Sequence, residues 1–261
     1  MACVLALDVG NSNISIGVFE RTELIHYFRI HTDLRWTQDD FAMALSALFR
    51  EVGFTKDRLG GVAISSVVPS VVRVLMDLSV NMLGIVPLVV GPGVKTGIPV
   101  HVDSPRDVGA DRIANVVAAV DAYESPVIVV DCGTATTFSV VNAQGQFIGG
   151  PIAPGLRIAA DSLFSRASKL PHTELVMPNS VVGKNTVASL QSGLIFGFAS
   201  LIDGLVVRIQ QELGETCTVI ATGGWTSLVA PVTTTKLHQM PHLTLVGLML
   251  LWQRNDIGKR G

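Results

Sequence analysis

Charged and aromatic residues are both scarce in this chain of 261 residues. Asp, Glu, Lys and Arg make up 15% of it and aromatic residues 6%, whereas hydrophobic residues make up 48%. The 19 basic and 21 acidic residues give a formal net charge of −2. Because there is no basic excess and little aromatic surface for base stacking, we expect no binding to nucleic acid. A composition this rich in hydrophobic residues also excludes a disordered protein.

Cysteine and long apolar runs are scarce as well. The three cysteines, Cys3, Cys132 and Cys217, lie far apart with no Cys-x-x-Cys pair, which is typical of reduced thiols in a cytoplasmic protein. The first residues lack a basic segment and soon reach Asp8, a pattern that argues against a secretory signal. The uncharged stretch 185–202 contains several Asn, Thr, Ser and Gln residues, too many for an ordinary membrane span. We therefore expect a cytoplasmic protein with no membrane partner.

The chain contains one internal repeat. Residues 4–11 (VLALDVGN) return as residues 127–134 (VIVVDCGT). Two further strands follow each copy, predicted at 14–19 and 24–30 in the first and at 137–141 and 146–152 in the second. Helices and strands then alternate. The pattern predicts an α/β fold of two duplicated halves, 1–123 and 124–261, each a mixed sheet flanked by helices.

Helices are predicted at several places where apolar residues recur every three or four positions. Thr37 is predicted to cap the first of them. Others are expected at 107–123, 155–169, 186–212 and 243–253, the last closing the second half.

The repeated Asp-x-Gly turn has two interpretations. Gly10 and Gly133 follow predicted buried strands, and a glycine there lets backbone N–H groups approach a phosphate closely. Asp8 and Asp131 offer carboxylates that suit Mg²⁺. The alternative is an ordinary tight turn, because Asp, Gly and Asn are common turn residues. That the turn occurs twice, once in each half, favours a nucleotide clamped in a cleft between the halves.

A third segment, Thr222-Gly223-Gly224, is by itself only a weak indication of a nucleotide site. It follows a predicted strand, and its glycines would let the backbone lie against an adenosine or ribose. An ordinary strand-to-helix turn is the alternative.

Together these segments resemble the phosphate-1, phosphate-2 and adenosine motifs of the acetate and sugar kinase, chaperone and actin superfamily, whose halves have ribonuclease-H-like folds. Within it, the chain resembles type III pantothenate kinases in five segments that span most of its length: DVGNSN at 8–13, GADR at 109–112, DCGTATT at 131–137, GGPIAPG at 149–155 and QSG at 191–193.

The resemblance implies that the chain phosphorylates pantothenate with ATP, Mg²⁺ and a monovalent cation, K⁺ or NH₄⁺, in the first step of coenzyme A synthesis. The residues that it implies for ATP binding are Asp8, Val9, Gly10, Asn11, Ser12, Asn13, Ile14, Ser15 and Thr134. Asp8 would also lie near Mg²⁺, directly or through water, and Asp131 would be the monovalent-cation ligand.

The same resemblance implies an acceptor site. The residues it assigns to pantothenate are Gly109, Ala110, Asp111, Arg112 and Thr186. Asp111 would take the proton of the acceptor hydroxyl, although without the family the preferred interpretation is a favourable first-turn residue of a helix. The family is homodimeric, with the acceptor pocket at the subunit interface. Val102 stands where the family commonly has Tyr near the acceptor.

Other common sites are absent from the sequence. It has no Gly-x4-Gly-Lys-[Ser/Thr] loop and no Gly-x-Gly-x-x-Gly turn after a strand. Pro241 lies between His238 and His242, which argues against a helical zinc site. Three alternatives stay open: a non-catalytic accessory factor in transcriptional regulation, an actin- or chaperone-like ATPase, and a kinase of the same superfamily that acts on another small-molecule hydroxyl.

Overall fold

The computed structural model describes residues 2–167 and 169–255. They form two compact units, each with its own β-sheet. The first unit contains the described residues up to Pro99, Asp103–Ala118 and Leu243–Asn255. The second unit contains Val100–Val102 and Ala119–His242.

The sheet of the first unit has five strands: β1 (Cys3–Val9), β2 (Asn13–Glu20), β3 (Glu23–His31), β4 (Leu59–Ser66) and β5 (Leu88–Val89). Their order is β3-β2-β1-β4-β5. The first three strands are antiparallel, whereas β4 runs parallel to β1 and β5 runs parallel to β4. The predicted strands at 14–19 and 24–30 are confirmed.

The sheet of the second unit repeats this arrangement. Its strands are β6 (Val127–Cys132), β7 (Ala135–Val141), β8 (Phe147–Gly149), β9 (Ile152–Pro154), β10 (Thr218–Thr222) and β11 (His238–Gln239). The order β8-β7-β6-β10-β11 matches the first sheet strand for strand, in direction as well as position. The predicted duplication is therefore confirmed.

One predicted strand of the second unit is divided. The sequence indicated a single strand over 146–152, but β8 ends at Gly149 and β9 begins at Ile152, and both pair with β7. Gly149 and Gly150 have φ of 101° and 140°, a region that only glycine adopts readily. The two glycines interrupt the strand because their backbone cannot continue the extended ladder.

The helices of the described residues are α1 (Gln38–Glu51), α2 (Pro69–Leu78), α3 (Ala110–Ala122), α4 (Leu156–Arg166), α5 (Thr186–Leu213), α6 (Thr226–Val229) and α7 (Leu243–Asn255). The predicted cap of α1 is confirmed: the Thr37 hydroxyl accepts from the Asp40 N–H, and the Asp40 carboxylate accepts from the Thr37 N–H. The helix expected from residue 107 begins at Ala110, because a 3₁₀ turn occupies Pro105–Asp107.

Helices cover both faces of the first sheet. Phe41 and Leu45 of α1 and Leu75 of α2 belong to one buried cluster with alternate residues of β1. Helix α7 contacts β1, β2 and β4. It lies so close to β4 that a Cβ at Gly61 would overlap the indole of Trp252. Because both faces are covered, β1 is apolar along nearly its whole length.

Helix α5 is the longest in the described part of the chain. Its length and composition are sufficient to cross a membrane, but the core helix of a globular protein meets the same criteria. Ile195, Ile202 and Val206 of α5 are almost fully buried, and the last two pack in the apolar cluster of the second unit.

The two units differ from the predicted halves 1–123 and 124–261 in three ways. The long continuous part of the second unit begins at Ala119, within α3, and not at residue 124. Helix α7 belongs to the first unit, although it follows the second in the chain. Val100–Val102 belongs to the second unit, where the His101 N–H donates to the Phe147 carbonyl at 2.8 Å. Periodicity shows that α7 has an apolar face but carries no information on which sheet that face covers.

We expect Gly247→Ala to destabilise the protein. A Cβ at Gly247 would overlap the Ala114 carbonyl, so α7 would have to move away from α3, and overpacking of this kind costs about 1–3 kcal/mol. Urea unfolding followed by circular dichroism measures the change.

Gly204→Ala is the matched control, because Gly204 is an exposed helical glycine with open space where a Cβ would be. Its stability should stay the same or rise by about 0.5–1 kcal/mol. Equal stabilities for the two variants would contradict the close contact between α7 and α3.

Candidate active site

The first Asp-x-Gly turn joins β1 to β2. The Gly10 N–H donates to the Asn13 carbonyl at 3.0 Å and closes the turn. A Cβ at Gly10 would lie 3.2 Å from that oxygen, so the tight turn favours glycine. Asn11 and Ser12 are exposed at its tip, and Asp8 is half-buried at the end of β1. The turn therefore presents amide and hydroxyl groups next to a carboxylate, which suits a phosphate with its cation.

Two residues predicted to line the triphosphate are in the core. Val9 and Ile14 are each 1% exposed and belong to the apolar cluster of the first unit. Their side chains are therefore unable to contact a nucleotide, and only their backbone groups are suited to that role.

Sequence reasoning missed two hydroxyls that hold this turn. The Thr32 hydroxyl, just after β3, donates to the Gly10 carbonyl at 2.7 Å, and the Thr32 N–H donates to the Ser12 carbonyl at 3.1 Å. The Ser65 hydroxyl, on β4, donates to Asp8 Oδ1 at 2.5 Å. Neither residue lies in a recognisable motif, and only the strand pairing brings them to the turn.

The segment Gly109–Arg112 forms the start of α3. Asp111 lies in the first turn of the helix, and its Oδ1 accepts a hydrogen bond of 2.8 Å from the Arg112 N–H. A Cβ at Gly109 would overlap this same Oδ1, so glycine at 109 leaves room for the carboxylate. Burial lowers the pKa of the Arg112 guanidinium, and the nearby Asp111 charge opposes that change.

The second Asp-x-Gly turn joins β6 to β7. The Gly133 N–H donates to the Ala135 carbonyl at 3.1 Å, and Thr134 is exposed. Asp131 is half-buried near the end of β6. A Cβ at Gly155 would overlap the carbonyls of Gly133 and Thr134, so the start of α4 packs directly on this turn.

The glycine pair after β10 lies against the second turn. Gly223 has φ of 94°, and a Cβ there would lie 2.6 Å from Asp131 Oδ1 and from the Cys132 carbonyl oxygen. The Trp225 N–H donates to the same carbonyl at 3.2 Å. The glycine pair that the sequence predicted to face adenosine is therefore also in close contact with Asp131, which the sequence did not indicate.

Cys132, between these elements, is not a nucleophile. Burial raises the pKa of its thiol to about 12, the Thr226 side chain lowers it, and the Asp131 charge raises it further. The thiol is therefore protonated and buried at neutral pH.

Thr186, the remaining predicted acceptor residue, is exposed in the first turn of α5. Asn185 caps this helix, because its side chain accepts from the Ala188 N–H at 2.8 Å. The structure thus brings Asp8 to the turn 10–13 in the first unit and Asp131 to Thr134 and Gly223 in the second, whereas Thr186 lies on a separate surface element.

The arrangement of carboxylates suits a Mg²⁺ ion that binds together with a nucleotide, and not one held by protein side chains alone. Among residues 2–167 and 169–255, no three His, Cys, Asp or Glu side chains are grouped for a metal ion. Mg²⁺ is commonly held by one or two carboxylates, with phosphate oxygens and water completing its shell. Asp8, at the edge of the glycine turn, offers a carboxylate of the kind that such a site uses.

The fold and the turns define a class of protein. Two mixed sheets of the same strand order, each with an Asp-x-Gly turn after its first strand, are duplicated ribonuclease-H-like halves, the fold that actin-like ATPases and sugar kinases have. Two solved structures share the fold. A putative Baf family transcriptional activator from Campylobacter jejuni has a TM-score of 0.61 at 19% identity and covers 96% of this chain and 98% of its own. The activator of 2-hydroxyisocaproyl-CoA dehydratase from Clostridium difficile has a TM-score of 0.59 at 12% identity. This match covers 98% of this chain and 96% of the activator.

Sequence comparison then gives the family. The model of type III pantothenate kinase matches residues 4–208. Over 252 residues the chain is 46% identical to the type III pantothenate kinase of Geobacter sulfurreducens and 48% identical to that of Syntrophotalea carbinolica, covering 97% of this chain and 99% of each relative. This chain belongs to the type III pantothenate kinase family.

We expect Thr32→Val to weaken ATP binding. Valine keeps the shape of the side chain and leaves the backbone bond to Ser12, but it removes the hydrogen bond to the Gly10 carbonyl. Loss of one such bond should lower ATP affinity roughly 3–10-fold. Titration calorimetry measures the ATP affinity of each variant. Thr32→Ser keeps the hydroxyl and should bind ATP as tightly as the unchanged protein. Equal affinity for the Val and Ser variants would show that the hydroxyl does not support the turn.

Proposed function

We propose that this chain transfers the γ-phosphoryl group of ATP to the 4′-hydroxyl of pantothenate, the first step of coenzyme A synthesis. The observation that carries this proposal is the match to enzymes named type III pantothenate kinase over 97% of the chain. The chain contains the segments that such an enzyme is expected to use: both Asp-x-Gly turns, the glycine pair after β10 and the segment Gly109–Arg112.

Two turns would bind the nucleotide. In the first unit, the side chains of Asn11, Ser12 and Asn13 and the N–H groups at the tip of the turn would hold the triphosphate, whereas the Gly10 N–H is already bonded to the Asn13 carbonyl. In the second unit, Thr134 would donate to a phosphate oxygen. Phosphoryl transfer has a loose, charge-spread transition state, so such donors act by positioning and by electrostatic stabilisation.

Asp111 would accept the proton of the pantothenate hydroxyl. The hydrogen bond from the Arg112 N–H fixes one of its oxygens and so limits the rotation of the carboxylate. Ala110 and Gly109 would line the acceptor, and the Arg112 guanidinium would stabilise the negative charge that develops on the transferred group. Thr186 would contact pantothenate.

Two cations would complete the site. Mg²⁺, when bound, neutralises the triphosphate and orients it. Asp8 would hold it directly or through a water molecule. Asp131 would bind K⁺ or NH₄⁺, and the contact with Gly223 would fix the position of its carboxylate.

We further propose a cytoplasmic homodimer. Several large apolar side chains of the second unit are exposed, including Val182 at 77%, Ile152 at 66% and Val181 at 65%. Burial of such side chains against a second copy would be favourable. These residues lie in the segments before α4 and α5, in the same unit as Thr186.

The proposed reaction is tested by ADP release from the purified protein with Mg²⁺ and ATP, with and without pantothenate. Turnover that depends on pantothenate is the expected result. Turnover without pantothenate would indicate an ATPase. A folded protein that binds ATP but shows no turnover would favour the accessory factor or another acceptor.

We expect Asp111→Asn to abolish most of this turnover without loss of the fold. An amide is unable to take the hydroxyl proton, and general-base catalysis contributes roughly 10²–10⁴-fold. ADP release measures the rate, and ATP affinity should be unchanged. The matched control is Asp107→Asn, an exposed carboxylate on the preceding 3₁₀ turn, which should keep full activity. An equal rate for both variants would contradict the assignment of the base.

We expect Asp131→Ala to remove the stimulation of turnover by K⁺. The ratio of the rate in K⁺ to the rate in Na⁺ should fall to about one, because the carboxylate that distinguishes the ions is lost. Glu212→Ala, at the exposed end of α5 in the same unit, is the control and should leave this ratio unchanged. A ratio that survives in Asp131→Ala would exclude Asp131 as the ligand.

A further inference from the structure

A buried hydroxyl contacts the carboxylate of the first turn. Strands β1 and β4 are parallel, and their register sets Asp8 opposite Ser65. Ser65 is 0% exposed, and its hydroxyl donates to Asp8 Oδ1 at 2.5 Å. A hydroxyl bonded to a carboxylate at this distance forms a charge-assisted hydrogen bond, roughly twice as strong as a neutral one.

The neighbouring serine has a different role. The Ser66 hydroxyl accepts from the Val68 N–H at 2.9 Å and lies 3.1 Å from the Val68 carbonyl, to which it donates. These bonds form a local turn at the end of β4. Successive side chains of a strand point to opposite faces, so only Ser65 shares the face of Asp8.

The second unit repeats the arrangement at the same place. Strands β6 and β10 are parallel, and their register sets Asp131 opposite Thr222. Thr222 is 2% exposed. A buried hydroxyl residue therefore stands opposite the aspartate of both Asp-x-Gly turns, although β4 and β10 share no recognisable motif at this point.

We propose that Ser65 is a positioning residue, which fixes the rotamer of Asp8 so that the carboxylate meets the divalent cation of the bound nucleotide. The role of Asp8 in this inference rests on the proposed function. With Oδ1 held by the hydroxyl, rotation of the carboxylate about its Cβ–Cγ bond is restricted before the nucleotide arrives. The Asp8 carboxylate is then already ordered in the free protein, so that nucleotide binding does not have to order it.

The test measures ATP binding by titration calorimetry, once with Mg²⁺ and once with EDTA in its place. In Ser65→Ala, the gain in ATP affinity from Mg²⁺ should fall roughly 10-fold, as expected for loss of a hydrogen bond to a charged group. Affinity for ATP in EDTA should change by less than about 2-fold, because the phosphate amides of the turn are untouched. Ser65→Thr keeps the hydroxyl and should recover most of the gain.

Ser66→Ala is the control, since it removes a hydroxyl from the same strand without touching Asp8. It should keep the whole Mg²⁺-dependent gain. If Ser65→Ala fails to fold, Ser65→Cys replaces it, because a thiol fills the same space and is only a weak donor.

A double-mutant cycle with Asp8→Asn separates positioning from a general loss of structure. If Ser65 acts through Asp8, Ser65→Ala should have no further effect on the Mg²⁺-dependent gain in the Asp8→Asn background. An equal fall in both backgrounds, or an equal loss of affinity with Mg²⁺ and with EDTA, would overturn the proposal.

The two proposals fail in different ways. Calorimetry reports on nucleotide and Mg²⁺ without requiring any acceptor. A protein that binds ATP with Mg²⁺ but does not turn over pantothenate would refute the proposed reaction and leave the Ser65 result to be judged from binding alone.

Discussion

The parallel pairing of the first strand with a later strand is the constraint on which each unit depends. In the first unit β1 pairs with β4, and in the second β6 pairs with β10. Parallel strands end at the same edge of the sheet, so the aspartate near the end of the first strand and the glycine turn after it meet residues from the later strand there. Ser65 and Gly223 reach the two carboxylates in this way. The antiparallel strands on the other side add Thr32, which holds the first turn.

Much of the fold was accessible from the sequence because it depends on local pattern. The repeat of residues 4–11 at 127–134 identified the two first strands, and both sheets have the same order. Thr37 could be identified as the start of α1 because an N-cap residue bonds to a residue only three positions further along the chain. The Asp-x-Gly turns were recognisable because the same short pattern occurs at the first strand of each half, whereas Gly109–Arg112 was identified only through its resemblance to the family.

The remaining features depend on contacts between distant residues. Ser65 lies 57 positions from Asp8, and a single serine at the end of a strand carries no signal of what it faces. Val9 and Ile14 match a binding motif, yet strand alternation buries their side chains. The break between β8 and β9 required the backbone angles of Gly149 and Gly150. Helix α7 has a clear apolar pattern but returns to the first sheet, which periodicity does not reveal.

The return of α7 sets the order in which the protein is completed on the ribosome. Domains fold as units during synthesis, generally from the N-terminus. Here the sheet of the first unit emerges early, but the face that α7 covers stays open until the whole second unit, which is nearly continuous in the chain, has been made. All residues of the second unit are therefore synthesised before the last helix of the first unit. An interrupted translation product would present an uncovered apolar sheet face, a typical target for chaperones and proteases.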